Sequence, residues 1–428
     1  MDFSPHVDKL LTPFIKSFGK CEKTEISKKD FKTYNSILIS LYKDIYSSNK
    51  FVFNQGCFKS RVINSITENH LVNKPNVFSV RYFPEEIQDY IKNEEKYQLV
   101  FSCGNVGGRE IHIHFSLFSK TELNNLDKYV NYVRMMYVWL NICAKYASKY
   151  CTKTLNIFIY LTPFTKQLPS SSAGILGPEH VNTAFTATCV VNGQLVIFRE
   201  EEWFKVFIHE TFHTYGLDFS SSHFEQFKQS LSTIFPINSE FMIYEAYTET
   251  WARIINCVFC SFNALKNKKD KETFILNLNF CLELERMFSI YQCIKVLGFM
   301  GLSYNDLYDS NMYDINMYDS NTDKSILRNN LYRENTHVFA YFIMTAIFLN
   351  DYSGFMIWCK KHNENLLKFN STDDNFIEFF EYIKHKYNCI SLLNNITEMK
   401  KLISSMIKSK TKHKELLNST RMSIVHTI

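Results

Sequence analysis

Apolar residues follow strand-like and helix-like patterns in turn between residues 96 and 161. The strand-like stretches are residues 97–101, 110–115 and 155–161. Residues 121–149, between the second and third stretches, repeat apolar positions every three or four residues, which predicts a helix. Strand, helix and strand in this order predict a parallel crossover.

The next apolar stretches predict a β-hairpin. Residues 181–191 and 194–198 are rich in β-forming residues, and Asn192-Gly193 separates them. Asn-Gly between two such runs is a strong hairpin signal. The second strand leads directly into a largely apolar helical stretch that begins near Trp203. We therefore expect a mixed sheet whose penultimate strand is an edge, with this helix packed under it.

The rest of the chain is mainly helical in pattern, so the predicted fold class is α+β. We expect a helical N-terminal region (1–75), a sheet lobe (76–235) and a helical C-terminal lobe (236–428). A five-residue tandem repeat that starts at Tyr308 is polar, which predicts a low-complexity surface insertion at 303–325. The Lys-rich stretch from Lys408 predicts a frayed end.

Composition excludes several classes of protein. The 428 residues are 46% hydrophobic, and the net charge of +5 is spread along the chain. This gives no case for a nucleic-acid partner. The longest apolar run, residues 338–349, is too short to span a bilayer, and the first residues do not form a signal peptide. A cytoplasmic protein without a membrane partner is expected, and the oligomeric state stays open.

Cysteine and histidine outside the main motif are interpreted as structural. The 12 cysteines show no paired spacing, so they are expected to be buried thiols. Cys257 and Cys260 lie in an apolar helical pattern, which favours core packing over a zinc site. His112 and His114 share one face of a strand and are expected to be solvated.

The main chemical motif is His209-Glu210-x-x-His213. Residues four apart lie on one face of a helix, so both histidines can reach one metal ion. Glu210 then lies beside that ion, where it can take a proton from water. Gly216 is placed to end the helix with a left-handed cap.

A catalytic zinc site takes three protein ligands and leaves one position for water. Six residues after His213, where the metzincin pattern has its third ligand, stands Phe219; Asp218 is one position off. Glu245 is the better candidate. Glu249, four residues later on the same helix face, can accept a hydrogen bond from a ligand histidine and fix its tautomer.

With these residues the chain resembles the thermolysin-like gluzincin metallopeptidases, and also metallopeptidases predicted in large DNA viruses. The resemblance covers residues 180–255 and implies a zincin-like mixed sheet. It implies zinc held by His209, His213 and Glu245, with Glu249 where thermolysin-like enzymes have Asp. Further residues that it points to are Asn182, Thr183, Ala184 and Phe185, as a substrate-binding edge strand, and His337, on the helix that supplies a transition-state-stabilising histidine.

The resemblance implies a zinc metallopeptidase that acts on a peptide or protein, in the host cytoplasm or virion if the chain is viral. Glu210 would be the general base, and His337 or Tyr247 would stabilise the oxyanion. The alternative is a zinc-binding structural or interaction protein without activity, which would be associated with the virion if the chain is viral. Glu210 favours the enzyme, because a purely structural site has no use for that carboxylate.

Overall fold

The computed structural model describes residues 5–22, 26–54, 59–76, 81–171, 173–309 and 318–426. Within these residues, six strands form one mixed sheet in the order β1-β2-β3-β4-β6-β5. They are β1 Lys59–Asn64, β2 Tyr97–Val106, β3 Arg109–Leu117, β4 Thr154–Tyr160, β5 Ala184–Thr186 and β6 Asn192–Ile197. β1, β2 and β3 are antiparallel neighbours, whereas β4 is parallel to both β3 and β6. β5 runs antiparallel to β6 at the edge of the sheet.

Helices make up most of the remaining structure. The α-helices of the described residues are α1 Pro5–Ile15, α2 Lys28–Asn54, α3 Glu85–Glu94, α4 Leu126–Tyr146, α5 Pro178–Val181, α6 Trp203–Thr214, α7 Glu225–Ile234, α8 Ile243–Asn263, α9 Lys271–Phe299, α10 Tyr318–Leu331, α11 Thr345–Asn350, α12 Tyr352–His362, α13 Asp373–Lys386, α14 Ile390–Lys408 and α15 Lys410–Asn418. A π-helical stretch, Phe339–Met344, leads directly into α11. The α+β fold class predicted from the sequence is confirmed.

The sheet is covered on both faces. One face joins the main core, where alternate residues such as Ile113, Ile157 and Ile197 pack with α4 and α6. The other face carries a smaller cluster in which Phe83 and α3 cover Phe158 and neighbouring residues of β4 and β6. Strand side chains alternate between faces, so one strand supplies both clusters.

Helix α8 lies at the centre of the helical lobe. Its residues from Glu245 to Phe262 are all buried, and it packs on α6, α9 and the π-helical stretch. Helix α6, which follows β6 in the chain, therefore lies directly against α8, which carries Glu245. Among the described residues no single helix has both the length and the apolar composition of a membrane span; one pair, Phe339–Asn350 with Tyr352–His362, has them only jointly and is bent by 91°.

The predicted helical region 1–75 is corrected in two respects. It contains β1, which pairs with β2. In addition, α2 packs on α4, α8, α9 and α12 and is tied to the body by the Tyr42 hydroxyl, which donates to the Lys268 carbonyl (2.9 Å). The region is therefore part of both lobes, because α2 buries its apolar face against other helices and β1 needs a neighbouring strand for its backbone hydrogen bonds.

The predicted Asn-Gly turn is wrong. Asn192 and Gly193 open β6, where they pair with Thr154 and Leu155 of β4, and β5 is joined to β6 by residues 187–191. The reason is a competing set of hydrogen bonds: the backbone N–H groups of Thr152 and Thr154 donate to the carbonyls of residues 190 and 191. The prediction that the penultimate strand lies at an edge of the sheet is confirmed, because β5 is the last strand in the sheet order.

A disulfide joins Cys151 to Cys189, so the expectation of thiols alone is wrong at this pair. The bond ties the β5–β6 connection to the start of the β4 region, and the Cys189 N–H donates to the His213 carbonyl at the end of α6. Cys257 and Cys260 are buried thiols in α8, as the core-packing interpretation predicted. The cytoplasmic location stays a prediction.

The predicted low-complexity insertion at 303–325 is too wide. Tyr304, Leu307 and Tyr308 are buried, and Asp309 pairs with Arg328 at 2.8 Å. Helix α10 begins at Tyr318. Residues 310–317 of the tandem repeat lie outside the described residues. The tyrosine that opens the repeat packs on Tyr304 and Tyr387, so its ring is core rather than surface.

The two strand histidines differ, and the solvated interpretation is wrong for His114. His112 is partly exposed and bonds to Glu110 at 3.0 Å. His114 is buried and its ring stacks on Phe158, with centroids 4.8 Å apart, because α3 covers this part of the sheet. Burial lowers the pKa of His114 to about 4.

This shift predicts a specific loss of stability in acid. Since the unfolded state binds the proton more tightly, the contribution of His114 is fully present above about pH 6.5 and falls by about 2 kcal/mol by pH 5. His114→Phe keeps the ring stacking and should show a smaller loss of unfolding free energy between pH 7.5 and 5 in urea titrations. His112→Gln is the control and should behave as the wild type. A wild-type pH dependence in His114→Phe would contradict the assignment.

Candidate metal centre

Helix α6 is built to hold polar groups inside the core. All of its residues from Trp203 to Thr214 are buried. It ends as predicted: Gly216 has a φ of +60°, its N–H donates to the His213 carbonyl, and the Leu217 N–H donates to the Phe212 carbonyl. These two bonds form a Schellman cap, which requires the left-handed conformation that glycine adopts without strain. The cap fixes the helix end immediately beyond His213.

His209, His213 and Glu245 come together between α6 and α8. The Nε2 atoms of the two histidines lie 3.2 Å apart, and Glu245 Oε2 lies 3.0 Å from His209 Nε2 and 3.4 Å from His213 Nε2. All three side chains are buried, and their donor atoms fall within 4.8 Å of one another. Two imidazoles and one carboxylate aimed at a common point can hold a metal ion. Three protein ligands also leave room for one more.

Each histidine is held by a carboxylate on its other nitrogen. His209 Nδ1 donates to Glu249 Oε2 (3.2 Å), as the sequence predicted for Glu249. His213 Nδ1 donates to the carboxylate of Asp218. A carboxylate on Nδ1 leaves Nε2 as the ligand atom and orients the ring. In the sequence, Asp218 stands one position before the place of the third metzincin ligand. In the structure it supports His213, and Glu245 is the third donor of the group.

The supporting carboxylates are themselves held in place. Lys205 Nζ donates to both oxygens of Glu249 (2.9 Å each), and Arg253 Nε donates to Oε1 at 2.9 Å. Asp218 Oδ1 accepts a hydrogen bond from the Ser220 hydroxyl (2.8 Å). Lys205, Glu249 and Arg253 are almost completely buried, so this network is fixed by packing as well as by charge.

The electrostatics of the donor groups follow from this network. Burial opposes the charged form of His213, but the carboxylates of Asp218 and Glu245 together raise its pKa well above its usual value. Burial also acts to raise the pKa of Glu245, yet the two histidines lower it well below its usual range. The carboxylates of the centre therefore favour a bound cation or bound protons between them.

Glu210 lies beside the centre and lines a cavity of about 30 Å³ together with His209. Burial raises the pKa of Glu210, although His209 and His213 act in the opposite direction. A carboxylate whose pKa is raised toward neutrality is suited to accept a proton and to return it.

Three of the four predicted substrate-binding residues reach this cavity. Asn182, Thr183 and Ala184 line it, and the hydroxyl of Thr183 has no hydrogen-bond partner among the described residues. The Phe185 side chain does not reach it. Because side chains alternate along β5, the ring of Phe185 instead packs against Phe83 on the other face of the sheet, with centroids 5.7 Å apart.

The two predicted oxyanion-stabilising residues lie elsewhere. Tyr247 is fully buried, and its hydroxyl donates to the Leu367 carbonyl (2.8 Å). It stands two residues after Glu245 and so faces another side of α8. His337 lies in a separate polar cleft, with its Nδ1 4.0 Å from Glu240. The structure therefore brings neither residue to the cavity that His209 and Glu210 line.

Tyr341 is the residue that the sequence interpretation missed. Its hydroxyl donates to Glu245 Oε2 (3.0 Å), its ring centroid lies 5.9 Å from that of His209, and it lines the same cavity as Glu210. It lies in the π-helical stretch, four residues after His337. The signal was present, since residues four apart share a helix face, but only the structure distinguishes which turn reaches the metal ligands.

Comparison of the chain with protein-family models, with curated proteins and with solved structures finds no match. The function is therefore inferred from the geometry of the centre itself.

Proposed function

We propose that the chain is a zinc-dependent metallopeptidase whose centre is formed by His209, His213 and Glu245. The observation that carries the proposal is the convergence of these donors beside Glu210, with a carboxylate on the Nδ1 atom of each histidine. A site that only stabilises a fold is usually closed by four protein ligands. Three ligands with an adjacent unshared carboxylate suit hydrolysis better.

The donor set fits zinc. Two neutral imidazoles and one carboxylate are common zinc ligands, and Glu245 and the histidines are already oriented by hydrogen bonds. When bound, zinc acts as a Lewis acid that polarises a carbonyl and makes water more acidic. The same donor types also occur in iron sites. The position of Glu210 beside the donors favours hydrolytic chemistry and hence zinc.

Glu210 is proposed as the general base. It takes a proton from the attacking water and then passes it to the leaving amine, so that the carboxylate is regenerated. Its burial and raised pKa support this cycle, because a fully solvated glutamate would hold the proton too weakly for the second transfer.

Tyr341 is proposed as the donor to the oxyanion. Its hydroxyl donates a hydrogen bond to Glu245 Oε2 (3.0 Å), and Tyr341 lines the same cavity as Glu210. A donor in this position can turn from the carboxylate to the oxygen of the scissile carbonyl as negative charge develops there.

A peptide substrate is proposed to lie along β5. This strand is at the edge of the sheet, and its first residue, Ala184, lines the cavity together with Thr183 just before it. An edge strand offers unpaired backbone groups to an extended peptide. The sheet together with α6 and α8 supports the proposal of a zincin-like, gluzincin-type arrangement. We also propose that the protein acts in the cytoplasm, in a host cell or virion.

A metal-binding protein without turnover is the second candidate. The observation in its favour is the cavity of about 30 Å³, which is far below the roughly 300–1,000 Å³ of ordinary ligand sites. Such a protein would bind zinc at the same three residues but would have no use for Glu210. The two candidates differ in whether peptides are hydrolysed and whether Glu210 matters.

Metal content tests the donor set. The purified protein should bind one zinc ion, and Glu245→Ala should lose most of it after dialysis. Asp218→Ala should weaken binding by about 10–100-fold without removing a ligand. Glu240→Ala, which changes an exposed carboxylate, is the control and should keep the metal. Equal losses in Glu245→Ala and Asp218→Ala would rule out the proposed ligand set.

Glu210→Gln tests the base. The variant keeps the shape of the side chain and lies outside the ligand set, so zinc content should stay near one ion per chain. Hydrolysis of a peptide library at neutral pH should fall by about a hundredfold or more. Glu240→Gln is the matched control and should cleave as the wild type does. If Glu210→Gln is fully active, the mechanism fails; if the wild type binds zinc and cleaves nothing, the second candidate takes precedence.

Tyr341→Phe and Tyr247→Phe separate the two buried tyrosines. Loss of the Tyr341 hydroxyl should lower kcat by about 10²–10³-fold with little change in KM, because the donor acts on the transition state. Tyr247→Phe should leave kcat unchanged and cost about 1 kcal/mol of unfolding free energy. A reversed pattern would restore Tyr247 as the catalytic candidate. His337→Ala should retain activity.

A further inference from the structure

Residues 419–426 run through the interior beside the metal centre. The Lys-rich stretch from Lys408 was expected to be frayed, and this expectation is wrong for its last part. Residues 419–425 are each 7% exposed or less, and none of them lies in a helix or a paired strand apart from one bridge between Ser419 and Gln167. An irregular segment buried to this extent needs partners for its backbone groups.

Two buried carboxylates bind the backbone N–H groups of four consecutive residues. Glu202 accepts from Met422 N–H (3.1 Å) and Ser423 N–H (2.5 Å). Glu285 accepts from the N–H groups of residues 424 and 425 at 2.9 and 2.8 Å, and from the Ser423 hydroxyl at 2.6 Å. Glu202 and Glu285 are 5% and 0% exposed. Apart from the bond from the Ser423 hydroxyl, these contacts are made to main-chain N–H groups and so depend little on the side chains of the segment.

Other buried side chains bind the carbonyl groups of the same segment. Lys295 Nζ donates to the Ser419 carbonyl, Gln292 Nε2 donates to the Arg421 carbonyl (2.5 Å), and Asn256 Nδ2 donates to the Val425 carbonyl (2.8 Å). Buried side chains of the body therefore bind both N–H and carbonyl groups of the segment. Bonds to backbone groups of this kind are one way in which a protein binds a peptide segment.

Met422 brings the segment into contact with the centre. Its side chain lines the 30 Å³ cavity together with His209, Glu210 and Tyr341. Its sulfur lies 3.9 Å from Nζ of Lys205, the residue that holds Glu249 against His209. A cavity of this size admits about one water molecule. Met422 therefore forms part of the wall that confines the space beside the centre.

We propose that the space between Glu202 and Glu285 is a peptide-binding channel continuous with the metal centre, and that residues 419–426 fill it as an internal ligand that limits access to the centre. The class of ligand is a peptide with consecutive free backbone N–H groups. The channel and its occupant stand on the contacts above, whereas the inhibitory consequence rests on the proposed peptidase function.

The first experiment compares Met422→Ala with Ile424→Ala in the zinc-loaded full chain. Both residues are buried in the segment, but only Met422 lines the cavity. Met422→Ala should increase the rate at which 1,10-phenanthroline removes zinc by about tenfold or more, and Ile424→Ala should leave that rate at the wild-type value. Peptide hydrolysis should rise in the same variant only. Equal rates of zinc removal in the two variants overturn the proposal.

The rates of zinc removal and of hydrolysis distinguish failure of the internal-ligand proposal from failure of the peptidase proposal. If Met422→Ala releases zinc faster and no variant cleaves peptides, the proposed peptidase function fails while the control of access by the segment stands. If hydrolysis occurs and Met422→Ala changes neither rate, the function stands and the internal ligand is rejected.

The second experiment tests backbone recognition. A protease recognition sequence inserted at the exposed Ser409, between α14 and α15, allows the folded full chain to be nicked. A fluorescent peptide with the sequence of residues 410–426 should then exchange into the nicked protein in a saturable way. N-methylation at Ser423 or Ile424, which removes an N–H bonded to a buried carboxylate, should weaken binding by about tenfold or more.

The control peptide is N-methylated at Arg421, whose N–H bonds only to Ser419 Oγ within the segment. It should bind nearly as well as the unmodified peptide. Failure of the peptide to exchange, or equal weakening by all three N-methyl groups, would show that the segment is an ordinary part of the core and would overturn the proposal.

Discussion

Pairing of buried charges across the α6–α8–α9 interface is the constraint on which the rest of the centre depends. Lys205 on α6 meets Glu249 on α8, and Arg253 on α8 lies between Glu249 and Glu285, at 2.9 and 3.9 Å. Removing one partner of a buried pair typically costs about 3–5 kcal/mol, because the other charge stays in the interior without compensation. The three helices therefore cannot slide past one another without separating these charges. Their relative positions are fixed to within a side-chain contact.

This constraint explains how the centre is organised before any metal is considered. Glu249 is held by two cations, so the oxygen that accepts from His209 Nδ1 has little freedom to move. The imidazole ring is oriented in turn, and its Nε2 points at Glu245. Asp218 does the same for His213 from the loop that follows the Schellman cap. Rigid donors lower the cost of organising the site when a ligand binds.

The sequence predicted the parts of the centre that depend on helical spacing. His209 and His213, and likewise Glu245 and Glu249, are four residues apart, and this spacing alone places each pair on one face. The same rule could have excluded Tyr247, which is two residues from Glu245. It could not choose between His337 and Tyr341, which are also four residues apart, because His337 lies in a bend ahead of the helix and Tyr341 lies in the π-helical stretch that packs on α8. The remaining wrong predictions concern features that depend on long-range contacts, which the sequence does not reveal. These features are the pairing of β1, the position of Gly193 in β6 and the burial of His114 under α3.

Residues 419–426 were beyond sequence interpretation for a related reason. Ser, Thr, Arg and Met in a stretch without periodicity give no sign of burial, and the partners that bury them, Glu202 and Glu285, lie about 220 and 140 residues away. The need of buried charges for partners also bears on this segment. Burial acts to raise the pKa of Glu202, yet Lys166, Lys205 and Arg421 lower it below its usual range, so the group is a buried anion that needs donors. If residues 419–426 left the channel, Glu202 and Glu285 would lose the N–H groups of four residues at once. The centre is therefore expected to open by exchange of one peptide for another that supplies the same N–H groups, and an empty channel is disfavoured. In such a site, access and recognition depend on the same two carboxylates.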